Sequence, residues 1–162
     1  MTGSEAQPPE PTVRMLYCRC AFAQVVPADV KSAVLEGLAA AGRGFEGVSD
    51  LCDMAARRDP HLADLARLAK EGTTLRIAAC WPRAVRGLFH LADSPLGETG
   101  VEILNMRTLP AERVLAGMLD GDTSAVAESA AARDDATAEQ AAASRIATLG
   151  KLPPTTPLGE TP

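Results

Sequence analysis

Between Val13 and about Leu119 the chain alternates short apolar runs with segments of helical period, a pattern that folds as repeated strand-helix units around a parallel sheet. The apolar runs are Val13 to Tyr17, Phe45 to Leu51, Thr73 to Ala79 and Val101 to Leu104. Pro27 opens a helix over Ala28 to Ala41 with Val30, Val34, Leu35 and Leu38 on one stripe, and Gly42 and Gly44 stop it. Asp59-Pro60 starts a second, with Leu62, Leu65, Leu68 and Ala69 on one face. Trp81-Pro82 starts a third, facing the sheet with Trp81, Ala84, Val85, Leu88 and Ala92, and Pro110 starts a fourth that runs to about Leu119. The commonest small arrangement of such units places strand one between strands two and three. We therefore expect a three-layer α/β domain, Rossmann- or flavodoxin-like, with a four-stranded, mainly parallel sheet of order 2-1-3-4.

At 162 residues the chain holds one domain of ordinary size. Residues 1-12 carry Pro8, Pro9 and Pro11 among small polar residues and are expected to be a disordered lead. Residues 13-120 form the domain. Residues 121-162 are rich in Ala, Asp, Ser and Thr and end in a proline-rich run, so they are expected to be a tail, with a weak helix near Thr137 to Ile146 and a possible docking role.

Charge narrows the partners. With 21 acidic against 16 basic residues, a net charge of -5 and no basic run, the chain lacks the electrostatic footprint of a nucleic-acid binder. No stretch approaches the roughly 18 apolar residues of a membrane span, and Met1 to Pro11 has no signal-peptide core. The expected location is the cytoplasm, where thiols stay reduced and structural disulfides are rare.

In that compartment the four cysteines, Cys18, Cys20, Cys52 and Cys80, are the main functional clue. Each falls at, or within two residues of, the carboxyl end of one of three consecutive expected strands, the edge where open parallel sheets bind ligands. Neighbouring strands lie about 4.8 Å apart, so three adjacent ends span roughly 10 Å, and the thiols are expected to converge. Four thiolates hold an iron-sulfur cluster or a structural zinc. Zinc sites usually draw on paired Cys-x2-4-Cys knuckles, whereas only Cys18 and Cys20 are paired here, which favours iron-sulfur. Cys80 before Pro82 stands at a helix start whose N–H groups favour anionic sulfur, and Arg19, Arg83 and Arg107 add positive charge nearby.

Blander readings stand beside this one. A cysteine in an aliphatic core is often a buried small hydrophobe, Arg83 at a helix start is often a surface residue, and Trp81 can simply pack on the sheet. Cys18 and Cys20 can also act as a redox dithiol, although one intervening residue is not the usual two. His61 and His90 read as solvated helix positions. No Gly-rich phosphate loop and no nucleophile-base-acid set is present.

The motifs Cys18-Arg19-Cys20, Leu51-Cys52, Ala78-Ala79-Cys80-Trp81-Pro82-Arg83 with Phe89, and Asn105-Met106-Arg107 together resemble the amino-terminal iron-sulfur domain of the flavin-carrying subunit of heterodisulfide reductase, over Val13 to Thr108. The family pattern is a Cys-x-Cys, a Leu-Cys, an Ala-Cys-Ser-Pro-Arg and an Asn-Ile-Arg. The chain differs in carrying Ala21-Phe22-Ala23 where polar residues usually follow, Trp81 where the family has serine, and Ala84-Val85-Arg86 where it has a histidine-containing helix start. The resemblance implies a 4Fe-4S cluster, less readily a 2Fe-2S cluster or zinc, on Cys18, Cys20, Cys52 and Cys80, with Arg83, Asn105 and Arg107 beside it. It also implies an electron-transfer module that is not catalytic alone, working with a flavin or iron-sulfur subunit of a larger redox complex. The rival expectations are a structural adaptor with zinc or no metal, and a thiol-disulfide protein using Cys18 and Cys20.

Overall fold

The computed structural model describes residues 12–131. The chain runs β1 (Val13–Cys18), α1 (Ala28–Ala40), β2 (Glu46–Val48), α2 (Leu51–Ala56), α3 (Pro60–Lys70), β3 (Thr74–Ala79), α4 (Pro82–Leu91), β4 (Val101–Asn105), α5 (Ala111–Asp120) and α6 (Thr123–Ala131). The four strands form one sheet of order β2-β1-β3-β4, and every pairing is parallel. The expected α/β class and strand order are therefore present.

Right-handed crossovers explain the layers. The step from β1 to β2 runs one way along the sheet and the steps to β3 and β4 run the other, so α1 falls on one face and α2, α3 and α4 on the opposite face. The packing agrees: α5 lies on α1, β3 and β4, while α2 packs on α4 and both α3 and α4 reach the sheet. A strand covered on both faces must be apolar without alternation, and Met15, Leu16, Tyr17 and Cys18 are all buried in succession. On α4, Val85 and Phe89 sit one turn apart and fully buried, which fixes the helix against the sheet. Leu35, placed by its spacing on the apolar stripe of α1, is instead 38% exposed, and Val34 and Leu38 carry that contact.

Two boundaries differ from expectation by more than one residue. The second strand ends at Val48 rather than Leu51, because the Asp50 side chain accepts the Cys52 N–H at 2.9 Å and caps a new helix there. Cys52 thus lies in the first turn of a helix. The compact unit also continues past residue 120: α6 lays Ala125 and Ser129 against β4, both buried, and the Asn105 N–H donates to Ser129 Oγ at 2.9 Å. An outer strand needs its unpaired backbone groups covered, and this helix supplies an acceptor for one of them. Residues 1–11 and 132–162, with the lead, the weak helix near Thr137 to Ile146 and most of the tail, lie outside the described residues.

Gly121 ends α5 with φ +72, a left-handed turn that a side chain would oppose twice over. A Cβ there would run into the Arg76 guanidinium, which pairs with Glu102 at 2.8 Å and donates to the Met118 carbonyl at 3.1 Å.

Candidate functional site

In order β2-β1-β3-β4 the chain direction across the sheet reverses between β1 and β3, so the ligand crevice of such a sheet opens outside the carboxyl ends of those two strands. Cys18 ends β1, Cys20 follows two residues on, and Cys80 follows β3. Cys52, after β2, completes the row. Cys18 and Cys20 are buried, Cys80 is half-buried and Cys52 is exposed, all four as free thiols.

Following the carboxyl ends of the adjacent parallel strands β2, β1 and β3, all four stand on one edge of the sheet. The structure does not draw them into a ligating group, since among the described residues no set of three or more His, Cys, Asp or Glu side chains is gathered closely enough to hold a metal ion. Cys18, Cys52 and Cys80 are instead engaged with the protein. Burial pushes the Cys18 thiol up to about 11, and hydrogen bonds from the Leu51 N–H, at 3.5 Å, and from the Cys20 N–H only partly offset it. Partial burial, then a hydrogen bond from the thiol to the Asp50 carboxylate, pushes Cys52 up to about 12. Burial also raises Cys80, against the N–H groups of Trp81 and Cys80 and the charge of Arg107.

Asp50 is a site residue that the strand pattern concealed. It is 3% exposed, and its Oδ1 accepts from the Cys52 N–H while its Oδ2 accepts from Phe22 N–H at 3.1 Å and Ala23 N–H at 3.4 Å. Burial alone would raise the carboxyl, but these donors outweigh it and hold the pKa below the ordinary carboxylate value. An acidic residue two positions before Cys52 is a helix-cap signal. A strand continued through to Leu51 hides it.

The residues expected beside the thiols are placed as follows. Arg107 stacks on Trp81, its guanidinium carbon 4.7 Å from the ring centre, and its charge acts on Cys80. Asn105 is fully buried where β4 ends; its Oδ1 accepts the Arg107 N–H at 2.9 Å and its Nδ2 has no acceptor among the described residues. Arg83 is exposed in the first turn of α4. His90 is exposed as expected, whereas His61 is half-buried with its Nε2 against the Glu46 carboxylate. Beside Cys52 a shallow open groove of about 520 Å³ is lined by Phe22, Ala23, Asp50, Cys52 and Asp53, with Phe22 76% exposed.

Fold and site together define a parallel α/β domain with four unbridged cysteines around its switch-point edge. No family model, curated protein or solved structure matches the chain. Among the described residues no helix is long and apolar enough to cross a membrane.

Proposed function

We propose that the chain is an iron-sulfur electron-transfer module of a larger cytoplasmic redox complex, with Cys18, Cys20, Cys52 and Cys80 as the ligands of one 4Fe-4S cluster. The observation that carries this reading is positional: Cys18 ends β1, Cys20 follows two residues on, Cys80 directly follows β3 and Cys52 lies in the first turn of the helix after β2, all beyond the carboxyl ends of three adjacent parallel strands at the switch point. The donor set fits: four cysteines are the number such a cluster takes, and a fully buried amide donor without an acceptor among the described residues, Asn105 Nδ2, stands at the same sheet edge. The resemblance to the heterodisulfide reductase domain points the same way.

When bound, such a cluster supplies one-electron transfer, its potential set by hydrogen bonds to sulfur, local charge and solvent exposure. The chain's own residues would set those terms. Backbone N–H groups of Leu51, Cys20 and Trp81 already face ligand sulfurs, Arg107 adds positive charge near Cys80, and Asn105 offers a further donor. Burial of Cys18 and Cys20 keeps water from one side, while exposed Cys52 leaves the other open to a flavin or iron-sulfur partner.

A zinc-holding adaptor uses the same donor chemistry and is separated by metal content. Thiol-disulfide exchange is weakened by the raised Cys18, Cys52 and Cys80 thiols, because that chemistry needs a ready thiolate. The test is iron, zinc and acid-labile sulfide per chain after anaerobic purification and reconstitution, with the visible spectrum and the paramagnetic resonance after dithionite. About four irons and four sulfides, lost or diminished in Cys80→Ser, are the expected result. Zinc alone, or full iron content in all four single cysteine variants, would overturn it.

A further inference from the structure

We infer that Asp50 is the positioning residue of this site, a buried anionic clasp that holds the Cys18-Cys20 loop and Cys52 in register before any cofactor arrives. The inference rests on the proposed cluster site and adds to it a residue that is not a ligand.

The loop needs such a clasp. Cys20 and Gln24 both have φ +50, a left-handed conformation costly for residues with a side chain, and they bracket the Phe22 and Ala23 N–H groups that converge on Asp50 Oδ2. Gln24 N–H also closes back on the Cys20 carbonyl at 3.2 Å. On the other side, Asp50 Oδ1 holds the first turn of α2 through the Cys52 N–H at 2.9 Å. Arg19 N–H on the Val48 carbonyl, 2.8 Å, and Ala21 N–H on the Ser49 carbonyl, 3.0 Å, extend the β1–β2 pairing up to this point. One side chain therefore joins two ligand-bearing segments that are otherwise tied by these main-chain bonds and the Leu51 N–H on Cys18 Sγ. It also leaves a fixed negative charge beside the proposed cluster.

Two substitutions separate its roles. Asp50→Asn keeps one carbonyl oxygen to cap α2 but replaces the second acceptor with an amide NH2 donor that cannot accept from the Phe22 and Ala23 N–H groups, so the loop is released while the helix stays capped. Asp50→Ala removes both. In metal-free, reduced protein, hydrogen exchange at the Phe22 and Ala23 amides should quicken at least about tenfold in Asp50→Asn relative to the parent, with circular dichroism unchanged. After reconstitution, Asp50→Asn should fill more slowly and its cluster potential should move positive, because a nearby negative charge is gone. A purely structural role would leave the potential unmoved. Unchanged amide exchange in both variants overturns the clasp whether or not the parent binds iron. A parent without cluster but with exchange that quickens in Asp50→Asn overturns the electron-transfer reading and keeps the clasp as a device of the loop. A variant that fills at the parent rate and potential overturns the positioning role and leaves the ligand assignment standing.

Discussion

The Arg107 guanidinium sits over the Trp81 ring, 4.7 Å from its centre, joining the loop after β4 to the residue that follows Cys80. Two strand ends are thereby held together by a cation-π contact, and a positive charge is kept beside a half-buried thiol.

Replacing Arg107 with Ala removes both effects. The Cys80 thiol, already raised by burial, should rise further, seen as slower alkylation of Cys80 at a fixed pH near 9, followed by mass spectrometry. Stability should fall by about 1 kcal/mol or less, measured by urea unfolding. Unchanged Cys80 alkylation would show that the guanidinium charge does not reach the sulfur.

The Cys18 thiol links folding to alkaline pH. Its folded value is pushed up to about 11 from 9.0, so between those limits the unfolded chain releases a proton that the folded chain keeps, and stability declines as pH rises through that window. The loss from Cys18 should reach roughly 2–3 kcal/mol. Urea unfolding of reduced protein at several pH values from about 8 to 11 should show this slope together with the parallel contributions of the raised Cys52 and Cys80 thiols, and Cys18→Ala should make it shallower by the Cys18 share. At about pH 8, where the thiol is neutral in both states, the same variant should still cost about 1–2 kcal/mol for the lost packing and the Leu51 N–H left without its acceptor.

Ser129 tests whether α6 belongs to the folding unit. Its hydroxyl accepts the Asn105 N–H and donates to the Ala125 carbonyl at 2.8 Å, in a site 1% exposed. Ser129→Ala leaves the Asn105 N–H buried and unpaired, a loss of about 1–3 kcal/mol in thermal or urea unfolding. A change below about 0.3 kcal/mol would mean that α6 docks without supporting β4.

Gly121→Ala should be among the costlier small substitutions at a helix end. It forces a side chain into φ +72 and against the Arg76 guanidinium, which must then release the end of α5. The expected loss in urea unfolding is at least about 1 kcal/mol, and Gly121→Asn, better suited to a left-handed turn, should recover part of the backbone component.

The strand-helix order is legible because the strands are short apolar runs and most helices open on a proline, and Pro60, Pro82 and Pro110 do mark the starts of α3, α4 and α5. The apolar pattern overruns strand two by three residues, because Leu51 resumes it after Ser49 and only the folded chain shows the Asp50 side chain turning back as a cap. Helix α6 escapes a reading of periodicity because its apolar content is mostly alanine. Its burial comes from fitting β4, not from a strong stripe of its own.

By itself the sequence determined the alternation of elements, and with it the placing of Cys18, Cys20 and Cys80 at the ends of β1 and β3, since local periodicity and chain order are enough to define a parallel sheet's binding edge, whereas Cys52 stands four residues past β2 on α2. Only the tertiary structure decided which thiols are buried and which is open, that Asp50 joins the Cys20 loop to α2, and that Asn105 is held by a helix beyond the expected end of the domain. Those outcomes depend on contacts between segments from 24 to 33 residues apart, where packing and backbone hydrogen bonding, not local preference, select the arrangement.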